Sequence, residues 1–378
     1  MKLSLPALAA LALVAASNPA VAQSNVTLYG SVDTAFTHLG GTVSQNGVSS
    51  GGGGSVGSKF GFKGTEDLGS GMKASFVFES GLETSSGGFG VPRSNNNVSS
   101  DFSGLFGRRA TVSLESSLGE IRLGRDLAAS FLNDVIYDPF LTYGVGSSVS
   151  FPMGIVRDGQ SASSLFRVSN AISYFTPKGL GGFSGQLMFA PSETKTANPT
   201  TKNGSYAGGR VAFDQGPISV SSSYGYSRQT FSTVPLVRSD KSTGNIGGSY
   251  DFGVVKAMAE YSRYKSLAEN ATGANLKTTV YTLGLVAPMG ASTFKLGYSH
   301  GKQRFDAPNA SEPSASKLAL GYIYSFSKRT SVYTTLARLK NRNGAAFNVG
   351  DGGVAGLGNS SSPNSSSTGF DLGINHSF

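Results

Sequence analysis

Along most of this chain the apolar residues fall on every second position. In Gly369–Phe378, Phe370, Leu372, Ile374, His376 and Phe378 share one parity, while Gly369, Asp371, Gly373, Asn375 and Ser377 share the other. That is the period of a β-strand, not of a helix. Val26, Leu28, Val32 and Phe36 alternate in the same way with Thr27, Tyr29, Ser31 and Asp33. Phe60 and Phe62 lie opposite Lys59 and Lys63, and Ala74, Phe76 and Phe78 lie opposite Lys73, Ser75 and Glu79. Roughly ten-residue segments of this kind recur to the last residue, and about sixteen strands are predicted. One face of each strand is apolar and the other small or polar, the pattern of a wall with hydrocarbon outside and water inside. A Lys or Arg at the lipid midplane costs ~2–4 kcal/mol, so the Lys-bearing faces must look into the water. The fold class expected is all-β: a transmembrane antiparallel β-barrel.

The connections alternate between tight and long. Short turns are read at Ser116–Gly119, Lys178–Gly182, Gln215–Pro217, Gly253, Pro288–Gly290 and Ser327–Thr330. Long connections at 39–57, 80–104, 126–166, 191–205, 227–242, 265–276, 301–316 and 340–367 are read as surface loops, with the turns in the periplasm. The segment before the first strand differs in kind. Lys2, an Ala/Leu-rich run over Leu5–Ala16, and Ala20-Val21-Ala22 ahead of Gln23 form the pattern of a secretory signal peptide. Residues 1–22 are therefore expected to be removed, and 23–378 to form one barrel domain in the outer membrane.

Composition agrees. The hydrophobic share, 38%, is low for a soluble chain of this length, yet there are 24 Phe and 15 Tyr. A barrel with a wet interior needs apolar residues only on its outer band. With no Trp, Phe and Tyr must supply the interfacial belts. The absence of Cys excludes disulfides and thiolate chemistry. The net charge of +9 is dispersed along an exported chain, which argues for a basic lumen and against nucleic-acid binding. His38, His300 and His376 stand at no ligand spacing, so no metal site, cofactor or enzymatic activity is expected.

Several segments resemble the general (diffusion) porins of Gram-negative bacteria, of the betaproteobacterial type. They are LYGSVD near Leu28, GFKGTEDLGSGMKASFVFE from Gly61, LFGRRATVSL from Leu105, LGRD from Leu123, FSKRTSVY from Phe326 and the terminal Phe378. The resemblance implies a 16-stranded barrel, a homotrimer, and a long third loop folded into the lumen to narrow it. Loop 80–104, with Arg93, resembles the second loop that latches a neighbouring subunit; the competing reading is a free polar loop. Asn375 departs from the family, which often carries a basic residue there.

The candidate constriction follows from combining loop and wall. Between Asp126 and Phe166 the chain carries Asp126, Asp134, Asp138 and Asp158 against one base, Arg157. The flanking strands offer Lys59, Lys63, Lys73, Arg109, Arg122 and Arg167 on the wet parity. With the loop inside, carboxylates would face a row of cations across a gap, and charged rings of this kind set ion preference. Arg108 falls on the opposite parity and is expected at the rim, in the subunit contact or at a bulge. Because wall cations outnumber loop anions, a water-filled channel preferring anions is expected. Its partners would be small hydrophilic solutes and inorganic ions inside, and outer-membrane lipid and lipopolysaccharide outside. The competing reading is a barrel that serves as a surface adhesin or structural anchor.

Overall fold

A computed structural model describes residues 25–378 except 43, 50–52, 90–104, 154–165, 193–203, 229, 232–236, 270–274, 307–309 and 351–361. The segment 1–22, Arg93, Arg157 and Asp158 thus lie outside the described residues. In chain order the strands are β1 (Asn25–Gly40), β2 (Gln45–Val48), β3 (Lys59–Gly69), β4 (Met72–Gly81), β5 (Arg109–Ser116) and β6 (Gly119–Leu127). After two short helices, α1 (Leu132–Ile136) and α2 (Ser150–Met153), come β7 (Arg167–Phe175), β8 (Phe183–Ala190), β9 (Tyr206–Gln215), β10 (Ile218–Ser227) and β11 (Thr230–Phe231). The remainder are β12 (Val237–Asp251), β13 (Lys256–Glu269), β14 (Leu276–Met289), β15 (Ser292–Phe305), β16 (Ser314–Ser325), β17 (Thr330–Arg342) and β18 (Ser366–Ser377).

All of these strands join one sheet. The short β2 and β11 extend β1 and β12 at the loop end; the others form a sixteen-strand antiparallel meander. The cylinder closes where β18 pairs with β1, from Ser31 opposite Ser377 to Gly40 opposite Thr368. At this seam the Gly30 N–H donates to the Phe378 carbonyl at 3.0 Å, and the Phe378 N–H returns a bond at 3.1 Å. Closure pairs the first strand of the meander with the last, which is what lets a sheet cross hydrocarbon. Among the described residues no helix is long and apolar enough to cross a membrane.

The alternation read from the sequence is the in/out alternation of this wall. Leu28, Phe36, Leu114, Leu123, Leu187, Leu283, Leu320 and Leu372 are exposed on the outer surface. Asp33, Thr37, Ser173, Ser221, Thr282 and Asp371, on the other parity, are buried inside. Several strands outrun the boundaries read from hydrophobicity. β12 begins inside the segment assigned to loop 227–242, and β13 and β15 continue to Glu269 and Phe305. Past the apolar band the outward residues turn basic and polar while the ladder continues, so the hydrophobic signal stops before the strand does.

Among the described residues, the buried hydrophobic clusters lie where connections fold back onto the inner wall. One cluster joins Phe140, Val145 and Phe151 of the long loop to Leu39, Tyr264 and Leu339 of the wall. A second joins Ala128, Phe131 and Val149 to Val168, Met188 and Tyr206. The segment read as surface loop 340–367 is partly internal: Ala345, Phe347 and Val349 are buried in the first cluster. The Phe347 N–H donates to Asn341 Oδ1 at 3.0 Å, and Asn341 Nδ2 donates to the Phe347 carbonyl at 2.8 Å.

Candidate pore constriction

The loop between β6 and β7 runs along the inner wall. Asn133 and Asp134, on α1, reach β9, β10, β12 and β13. Asn133 donates to Asn245 Oδ1 at 3.0 Å and accepts from Arg210 and Ser221, both at 2.7 Å. Asp134 Oδ1 accepts from the Tyr264 hydroxyl at 2.6 Å and from Ser262 at 2.8 Å. Burial pushes the Asp134 carboxyl up to about 6, with the charge of Asp138 adding to the shift and the hydrogen bonds opposing it. Tyr137 lies flat on β12 and its hydroxyl meets Ser221 Oγ at 2.9 Å.

The wall is notched to receive these rings. A Cβ on Gly247 would stand 2.3 Å from Tyr137 Cδ2, and one on Gly301 would stand 2.3 Å from Phe151 Cδ1. Only glycine admits such a close approach of a ring to the backbone. Further along, the Val145 N–H donates to Asp371 Oδ2 on β18 at 2.8 Å. From beneath, Lys317 donates to the Ser147 carbonyl and, at 3.0 Å, to Ser150 Oγ, while the Lys295 ammonium lies 5.7 Å from the centre of the Phe140 ring. The loop thus lines the wall from β9 round to β18.

Across from it, β3–β7 carry the basic residues, and the structure separates the predicted set into levels. Lys59 stands opposite Ser31 and Gly81, and Arg109 opposite Glu79, near the loop end. Arg122 lies lower, opposite Ser113. Lys63 lies 5.3 Å from the centre of the Tyr29 ring. Lys73, the second residue of β4, stands between Asp67 and Glu115, about 20 Å down the strand from Arg109, so the structure places it at the turn end, away from the other basic residues.

The predicted carboxylates divide as well. Asp126, at the end of β6, pairs directly with the wall: its Oδ2 lies 2.6 Å from Arg122 and its Oδ1 3.5 Å from Arg109. Arg122 is also held by Glu120 at 2.8 Å and stacks 4.2 Å from the Phe175 ring centre. Asp134 and Asp138 do not face the wall cations across a gap. They are buried inside the loop and under it, because each satisfies local donors. Asp138 accepts from the Phe140 N–H at 2.8 Å and the Ser148 N–H at 2.7 Å, folding the loop on itself.

The structure adds residues that pattern reading missed. Arg108 is inside the barrel, its Nε 2.6 Å from Glu79 Oε1 and its Nη2 3.5 Å from the Tyr143 hydroxyl of the loop. It precedes the first residue of β5, so strand parity does not govern it. Arg125 donates to the Gly107 carbonyl at 2.7 Å and to Ser169 Oγ at 2.6 Å. Its apparent lipid parity is cancelled by a bulge in β6 between Gly124 and Asp126. Arg167 donates to the Arg108 carbonyl at 3.0 Å. Arg108, Arg125 and Arg167 therefore converge around Glu79 and Tyr143. Burial acts to raise the Tyr143 phenol, yet the guanidinium groups of Arg108 and Arg167 outweigh it and hold the phenol below its ordinary value. The signal available in the sequence was the FGRRA and LGRD pair of basic clusters, not their parity.

A closed sixteen-strand cylinder, greasy outside and polar inside, with an internal loop opposite a basic wall, is an outer-membrane channel. Residues 7–344 match the family described as Gram-negative porin. The chain is 36% identical to outer membrane porin protein 32 of Delftia acidovorans over 98% of this chain and 99% of that one. Its fold superposes on an anion-selective porin from Comamonas acidovorans with a TM-score of 0.79, at 33% identity, covering 94% of this chain and 100% of that one. The trimer form of OmpT, an outer membrane protein of Vibrio cholerae, shares the fold at a TM-score of 0.65 and 15% identity, over 94% and 99% of the two chains. The chain belongs to the Gram-negative porin family.

Proposed function

We propose that this porin passes small hydrophilic solutes and inorganic ions by passive diffusion with a preference for anions, selected at the basic wall. The observation that carries this reading is the convergence of Arg108, Arg125 and Arg167 beside Lys59 and Arg109, where cations outnumber the carboxylates Glu79, Glu120 and Asp126. Low-dielectric walls focus such a field on a passing ion. Anion selectivity is also the printed property of the Comamonas acidovorans porin. The constriction consists of Arg108, Arg109, Arg122, Arg125, Arg167, Lys59 and Lys63 on one side and the loop from Asp126 on the other. Asp134 and Asp138 serve as its anchors. No catalytic role is assigned to any residue.

The exported form begins at Gln23, after removal of residues 1–22. The long connections face the cell exterior and the tight turns the periplasm. The working unit is a homotrimer, an assembly supported by the trimer form of the similarly folded OmpT. Lipid and lipopolysaccharide surround its outer band. The experiment is the permeability ratio of chloride to potassium in planar bilayers for Arg109→Ala, Arg122→Ala and the pair. Each substitution should lower the ratio. Arg122→Ala should act beyond its own charge, since it also frees Glu120 and Asp126. An unchanged ratio in the double variant would remove both residues from the filter.

A further inference from the structure

Beneath α1 the wall carries a carboxyl that ion selection does not use. Glu260, on the inner face of β13, is 6% exposed, and Asp134 of α1, which meets it, is 3% exposed. The two side chains lie within hydrogen-bonding reach of each other. Register sets Glu260 between Gly247 of β12 and Thr282 of β14. The Tyr137 ring covers Gly247, and Pro139 covers Gly284, where a Cβ would stand 2.8 Å from the proline Cδ. The loop thus closes over the pair on both sides.

Each carboxyl is left with one oxygen short of a donor. Asp134 Oδ1 takes both the Tyr264 and the Ser262 hydroxyls. Asp134 Oδ2 and Glu260 Oε1 are buried and have no hydrogen-bond partner among the described residues. Asp138 adds a third acidic group that acts on both. The groups on the surrounding elements are engaged elsewhere. Tyr137 bonds to Ser221, and Arg210 of β9 donates to Asn133 Oδ1 at 2.7 Å. Lys295 of β15 lies against the Phe140 ring, within electrostatic reach of Asp138. Lys317 of β16 donates to the Ser147 carbonyl and to Ser150. Two carboxyl groups in contact away from water cannot both be ionised without a large cost. One proton held between them gives each orphan oxygen its partner.

We propose that Asp134 and Glu260 share one proton, and that this bond is a pH-sensitive latch holding the constriction loop against β13. With the proton in place, a carboxyl donates to a carboxylate across the loop–wall contact, a short and charge-assisted hydrogen bond. When the proton leaves, two like charges meet in a dry crevice and drive α1 off the wall. The latch is therefore held in acid and opens as the pH rises through the upper titration step of the pair, a step that belongs to both groups together. Burial pushes Asp134 up to about 6, so the step falls at or above that value. One proton is released, so the ratio of unlatched to latched loop rises by at most about tenfold per pH unit. A divalent cation is a poorer occupant than a proton: among the described residues no group of three metal-ligating side chains forms. The latch rests on the loop narrowing the pore, and not on which ions the wall prefers.

The test is single-channel recording of the full-length porin in KCl with a chelator present, as the pH is stepped from acid to alkali. The parent should pass quiet current in acid and flicker increasingly in alkali, with the dwell-time ratio following one proton. Glu260→Gln keeps a donor for Asp134 and removes the charge, so it should stay quiet at every pH. Glu260→Ala removes the bond altogether and should flicker at every pH. Glu66→Gln, at an exposed carboxyl near the turn end, should keep the parental profile. A parental current indifferent to pH, a Glu260→Gln channel that follows the parent, or a Glu260→Ala channel as quiet as Glu260→Gln would each overturn the proposal. So would calcium chloride, added without chelator, that silences the alkaline flicker of the parent, since a cation would then be the occupant of the pair. The reversal potential, read in the same bilayer, reports separately on the basic wall, so a failed latch is distinguishable from a failed anion filter.

Discussion

Asp134 illustrates how a residue picked out for charge can serve another end. Its position in a long acidic loop suggests a carboxylate facing the wall cations across the gap, whereas it sits beneath the loop, bonded to Tyr264 and Ser262. An acid whose folded-state value is raised from 3.8 to about 6 binds its proton more firmly in the folded chain than in the unfolded one. Its contribution to stability is therefore complete below about pH 4 and is lost as the pH rises through about 6. Thermal unfolding between pH 4 and pH 7 should show this decline in the parent and a flatter profile in Asp134→Asn. Parallel profiles would mean that the anchor does not titrate. Which acids become anchors was not legible, because burial depends on the path of the loop and not on spacing along it. Arg109 and Arg122, fixed on regular strand parity beside a recognisable turn, were legible as lumenal.

At the level of elements, alternation carried strand existence and orientation well, and failed where a strand stops being regular. β6 is the clearest instance. Gly124 adopts φ +121, and a Cβ there would stand 2.1 Å from the Ala110 carbonyl oxygen. That conformation turns Arg125 into the lumen and starts the loop. Gly124→Val should destabilise the barrel by about 1–3 kcal/mol through overpacking and displace Arg125, lowering anion preference. Thermal midpoint and reversal potential measured together check this, and a normal barrel with unaltered selectivity would contradict it. The long loop depends likewise on wall glycines, which leave room for its rings against the strands. Gly247→Leu should expel Tyr137 and loosen the loop, seen as noisier single-channel current in a barrel that still assembles; quiet parental current would show that Tyr137 is not needed to hold it.

For the whole molecule, one requirement organises the rest. Every backbone group in hydrocarbon must find a partner, so the sheet closes at Ser31–Gly40 against Thr368–Ser377. Closure leaves an interior too wide for a filled core, and the connections that turn inward supply what apolar packing there is. That consequence was only partly readable. The number of strands, their faces and the inward loop were accessible from repetition and family resemblance. The partial folding of 340–367 and the meeting of Arg108, Arg125 and Arg167 were not, since both are set by contacts between segments far apart in sequence.

The most direct measurement is the zero-current potential of the purified porin in a planar bilayer separating unequal KCl concentrations. A flooded, basic lumen predicts stable conductance with a potential of the sign set by chloride passing more readily than potassium. A silent bilayer, or a potential of the sign set by potassium, would contradict the account.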